Sequence, residues 1–64
     1  MELEEGKYYK LIVQTPVRDL TYTCKIIKIN KELHSVSFID KLGNSKNYNL
    51  NFIREWTEIN HEDF

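Results

Sequence analysis

Sixty-four residues with nine Lys and Arg, ten Asp and Glu and a formal charge of −1 hold one small domain, which excludes a two-lobed enzyme with a cleft between its halves. The longest apolar runs are three residues, as in Leu11-Ile12-Val13, too short for a membrane-spanning helix, and the acidic opening Met1-Glu2-Leu3-Glu4-Glu5 is not expected to act as a secretory signal. The single Cys24 forms no internal disulfide and anchors no metal cluster, so the expectation is a soluble cytoplasmic chain with a reduced thiol, held by an apolar core worth ~3–5 kcal/mol net.

The chain has no alanine, and Val, Ile, Thr, Phe, Tyr and Trp make up 22 residues, the types that suit a pleated, half-buried surface. The first predicted strand runs Lys7 to Thr15, opened by Gly6 and stopped by Pro16, with Tyr9, Leu11 and Val13 inward. Pro16-Val17-Arg18-Asp19 is a loop. The second strand runs Leu20 to Ile29, with Leu20, Tyr22, Cys24 and Ile26 on one face and Thr21, Thr23 and Lys25 on the other. Its phase breaks at Ile26-Ile27-Lys28-Ile29, where a bulge or strong bend lets Ile26 and Ile29 both face the core. Asn30-Lys31-Glu32-Leu33 is a turn by composition, and His34 to Asp40 is the third strand, with Val36 and Phe38 inward. Lys41-Leu42-Gly43-Asn44 is the next turn, and Ser45 to Tyr48 or Asn49 is a short fourth strand with Tyr48 inward. Asn49 to Ile53 fits a single 3₁₀ turn, with Ile53 and Leu50 at the end of the core. Glu55 to Ile59 is the last strand, and 60–64 reads as frayed.

Five short strands joined by tight turns predict an all-β domain, a small five-stranded antiparallel barrel or sandwich over residues 6–59, flanked by an acidic N-terminal end at 1–5 and an acidic tail at 60–64. The bent second strand and the 3₁₀ turn before the last strand favour an SH3-like barrel over an OB-fold, which needs a helix that has no room here. Tyr22-Thr23-Cys24-Lys25-Ile26 resembles the second-strand run of the Tudor family, and Val36-Ser37-Phe38-Ile39-Asp40-Lys41-Leu42-Gly43-Asn44 resembles its aliphatic-x-Phe-x-Asp-Tyr-Gly-Asn signature. Tyr48 and Ile53 fall at two further core positions of that family. The likeness covers about residues 20–53 and implies architecture. It does not extend to the aromatic cage with which such domains read methylated Lys or Arg, because the interval between Asp40 and Gly43 is Lys41-Leu42, one residue longer and without an aromatic.

Catalysis is not expected. Ser35, Ser37 and Ser45 carry no nucleophile motif, His34 and His61 stand at a turn edge and in the tail, and Cys24 shares the inward phase of Tyr22 and Ile26. The prediction is a non-enzymatic binding module with no cofactor, metal, membrane or small-molecule substrate. Charge distribution points to its partner. Residues 6–54 carry nine cationic and three acidic side chains, a net of +6, while the two ends carry seven acids and no cation. The first expectation is low-specificity binding of DNA or RNA on the outer face through Lys10, Arg18, Lys25, Lys28, Lys41, Lys46 and Arg54, with Tyr8 and Phe52 stacking on bases. The acidic ends would lie over the same face and compete. The second expectation is a protein-interaction module or homodimer, using an exposed Ile12, Ile27 and Ile39 patch or an edge strand.

Overall fold

The computed structural model describes residues 3–64. Five strands follow one another as β1 (Tyr8–Gln14), β2 (Asp19–Asn30), β3 (Ser35–Asp40), β4 (Ser45–Asn49) and β5 (Ile53–Ile59), with a 3₁₀ turn at Leu50–Phe52 and a second at His61–Asp63. They form one antiparallel sheet in the order β4-β3-β2-β1-β5. The all-β class and the lone 3₁₀ turn before the last strand agree with the sequence. Closure into a barrel does not: β4 and β5 are the two edges of an open sheet, with no ladder between them.

Strand alternation sorts the side chains. Tyr9, Leu11 and Val13 from β1, Cys24 and Ile26 from β2, and Val36 and Phe38 from β3 are buried on the inner face. Leu50 and Ile53 close the end of this core, and Tyr22, Ile29 and Tyr48 pack against it. Between Ile26 and Lys28 the β2–β3 register slips by one residue, leaving Ile27 unopposed. That bulge lets Ile26 pair with Phe38 and Ile29 with Val36, both inward, as the broken sequence phase requires. Gly6 N–H donates to the Ile26 carbonyl at 2.8 Å and Ile26 N–H donates to the Lys7 carbonyl at 3.0 Å, so β1 stays tied to β2 up to the bulge.

The turns are built from short polar side chains. The Asp40 carboxylate accepts from the backbone N–H of Leu42 at 2.9 Å and of Asn44 at 3.0 Å, while Gly43 takes φ 87°. The Asn49 side chain caps the Leu50 turn by accepting from Asn51 N–H at 2.8 Å. His34, expected to open β3, instead ends the preceding turn at φ 53°. Its carbonyl accepts from Leu50 N–H, and its ring bonds Asn51 Oδ1 at 3.1 Å.

The ends of β1 and β2 and the start of β3 shift by one residue from expectation, and three larger features differ as well. β5 begins at Ile53 rather than Glu55, because Ile53 pairs with Val13 after a register shift opposite Ile12. Leu3 packs into the core although acids flank it in sequence, and the neighbouring Glu5 carboxylate accepts from Ile29 N–H at 2.8 Å. Met1 and Glu2, the rest of that acidic end, lie outside the described residues. Residues 61–64 are not frayed: they form a turn whose rings seat on Tyr8.

Candidate nucleic-acid interface

The outer face of the sheet is set by the same alternation. Register places Lys10 opposite Thr23, and Tyr8 opposite Lys25, with Ile39 on the other side of Lys25. Beyond the bulge Lys28 stands opposite Ser37, which in turn accepts a hydrogen bond from the Asn47 amide at 2.7 Å. Lys10, Lys25 and Lys28 therefore share one face, and Lys41 projects from the β3–β4 turn at its border. Among the described residues none of these four enters an ion pair.

Tyr8, the first residue of β1, stands at the strand end on this face, where it meets Lys25, whose Nζ is 5.7 Å from the Tyr8 ring centroid. The His61 ring lies 5.0 Å and the Phe64 ring 4.9 Å from Tyr8, both tilted against it. Thr23, Asp40, Lys41, Leu42, Asp63 and Phe64 line a depression of about 300 Å³ beside this cluster. The sequence did not single out Phe64. Its signal was an aromatic following the polar run Asn60-His61-Glu62-Asp63, since an apolar side chain in such a segment docks where it can lose water.

The other predicted residues are dispersed. Lys46 pairs across from the inward Phe38 and so takes the opposite phase of its strand from the outer-face lysines. Arg18 and Arg54 lie toward the β1–β2 loop end of the sheet, where the Arg54 guanidinium donates to Asp19 Oδ2. Phe52 is half exposed there, beside Gln14, Thr15 and Pro16. Lys7 is held by Glu4 at 2.6 Å and Glu58 at 3.8 Å, and the bond to Glu4 raises its pKa above the ordinary lysine value. The isoleucines do not form one patch. Ile12 stands opposite Thr21 and Ile39 opposite Lys25, so Lys10, Thr23 and Lys25 intervene, while Ile27 sits apart on the bulge.

Two further features bear on chemistry. Cys24 is fully buried, its Sγ 3.6 Å from the Tyr9 carbonyl, and burial pushes its thiol up to about 12, far from a reactive thiolate. A larger hollow of about 500 Å³ is lined by Leu3, Glu5, Ile29, Lys31, His34 and Leu50. Its Glu5 and His34 are already bonded to Ile29 and Asn51, which leaves Lys31 as the remaining charged group on its wall. Among the described residues no helix is long and apolar enough to cross a membrane. No family model matches the chain, and searches of curated proteins and of solved structures return no match.

Proposed function

We propose that the chain is a non-enzymatic, cytoplasmic module that binds nucleic acid with low sequence specificity on the outer face of an SH3-like, Tudor-like sheet. The observation that carries this is the sorting of the cations. Lys7 and Arg54 are neutralised by acids, whereas Lys10, Lys25, Lys28 and Lys41 stand together without an ion pair among the described residues. Long cationic side chains spaced along adjacent strands match a phosphate backbone, and each neutralised phosphate releases counterions. The strand order β5-β1-β2-β3-β4 and the bulged β2 support the SH3-like architecture. The absence of an aromatic at Lys41-Leu42 speaks against a methyl-lysine cage there.

Fluorescence anisotropy of labelled DNA and RNA tests it. Binding should appear at ~20 mM salt, where screening is weak, and the slope of log K against log salt should be about −3 for a single strand meeting four lysines. Lys25→Glu with Lys28→Glu should abolish binding. A chain that binds no nucleic acid in ~20 mM salt refutes the proposal.

A second function is favoured by one observation: β4 and β5 are open edges, and β5 carries the partly exposed Trp56. An extended peptide from a partner protein adds to such an edge through main-chain hydrogen bonds. A Trp56 emission shift on titrating extended peptides is the expected sign, and unchanged emission counts against it.

A further inference from the structure

We propose that the outer face takes single strands in preference to duplexes, by stacking an unpaired base on Tyr8 in the place that Phe64 now occupies, so that the His61–Phe64 turn is a built-in competitor for the site. The inference rests on the nucleic-acid function proposed above and names its ligand and its control.

Three observations carry it. First, Tyr8 already packs against two aromatic rings, with the Phe64 and His61 ring centroids within 5.0 Å of its own and both rings tilted against it. A base presents a flat π-face of similar kind, and duplex DNA keeps its bases stacked on one another and out of reach. Second, cations lie beside that cluster: Lys25 lies over Tyr8, Lys10 is two residues along the same strand face, and Lys41 lines the depression that Phe64 borders. A base on Tyr8 therefore brings its own phosphates toward Lys25, Lys10 and Lys41. Third, the turn brings charge of the opposite sign to the same place. Asp63 lines the depression with Lys41, and Glu62 precedes it in the same turn. An aromatic ring beside carboxylates reproduces, in protein, a base beside phosphates.

The turn is also lightly held. None of its residues 61–63 is buried, and its N-cap Asn60 makes no side-chain capping hydrogen bond to the turn. Its backbone is closed by two bonds of its own, Asp63 N–H to the Asn60 carbonyl at 2.9 Å and Phe64 N–H to the His61 carbonyl at 3.1 Å. Lifting it exposes Tyr8 without opening the core, so displacement costs little beyond the ring contacts themselves.

The test is made on the full chain with a labelled thymine oligonucleotide and the matching duplex at ~20 mM salt. Phe64→Ser should tighten single-strand binding at least about tenfold, the scale of one base–aromatic stack, and leave duplex binding within about twofold. Adding Tyr8→Leu to Phe64→Ser should remove that gain. On the unmutated chain, contacts between the Phe64 and Tyr8 rings seen by nuclear Overhauser effect should vanish at saturation with the single strand. If Phe64→Ser leaves affinity unchanged, or if the ring contacts persist in the complex, while Lys25→Glu with Lys28→Glu still abolishes binding, the competitor is overturned and the basic face stands. If neither the unmutated chain nor Phe64→Ser binds either oligonucleotide, the basic face falls and the competitor falls with it.

Discussion

Cys24 shows how one side chain reports its surroundings. Its thiol is enclosed by β1, β2 and the inner face of the sheet, and the neutral form is favoured because no water solvates a thiolate there. A thiol reagent should therefore leave the folded chain untouched and react in denaturant. The stability it contributes is fully present below the ordinary thiol value of 9.0 and is lost as pH rises from there through about 12, since the unfolded chain ionises first. Tyr22 acts in the same direction: its hydroxyl shares a 2.7 Å hydrogen bond with Tyr48, which with burial raises it to about 12, so its share is lost between about 10 and 12. The melting temperature should fall steadily above pH 9, and Cys24→Ala should delay the onset to about pH 10. Gly43 is a conformational case. A Cβ there meets no atom within 4 Å, yet φ is 87°, so Gly43→Ala should cost about 1 kcal/mol from backbone strain alone, read as a lowered urea midpoint.

At the scale of elements, the bulge in β2 decides which isoleucines matter. Ile26 is fully buried and Ile27, one residue on, is half exposed. Ile26→Ala should cost about 2–4 kcal/mol, while Ile27→Glu should stay within about 0.5 kcal/mol, both measured by chemical denaturation. Deleting Ile27 should keep Lys28 outward and Ile29 inward, because Ile27 is the residue left unopposed in the ladder, so its removal takes away the local bend and not the core set. This bulge was legible in the sequence, since Ile26-Ile27-Lys28-Ile29 cannot satisfy a two-residue period. So were the inward sets Tyr9-Leu11-Val13 and Val36-Phe38 and the 3₁₀ turn within Asn49 to Ile53. What sequence could not supply was long-range partnering. Leu3 and Phe64 are single apolar residues among polar ones, and only the pocket each enters shows that it is ordered. The start of β5 was hidden for a related reason: Ile53 belongs equally to the turn pattern and the strand pattern until Val13 is known to stand beside it.

Across the whole molecule, a charge of −1 conceals a division by position and then by face. The sequence separates a +6 body from acidic ends. Folding divides that body again: Arg54 is matched to Asp19 and Lys7 to Glu4 and Glu58, Lys46 takes the inner phase, Arg18 stays in the β1–β2 loop, Lys31 lines the larger hollow, and Lys10, Lys25, Lys28 and Lys41 are left on or beside the outer face. The predicted cation set was legible only as a list, because the face of each residue depends on register, and two register shifts move it. The acidic ends also part company once folded. Glu4 and Glu5 hold Lys7 and the β2 backbone, while Glu62 and Asp63 sit on the turn that seats against Tyr8.

The central claim is that this outer face binds a phosphate backbone, and the salt dependence of binding tests it most directly. Titrating a labelled single-stranded oligonucleotide against the chain from ~20 to ~200 mM salt should give a slope of log K near −3, falling toward −1.5 when Lys25 and Lys28 are replaced by alanine. A slope near zero, or one that the double replacement leaves unchanged, contradicts the account.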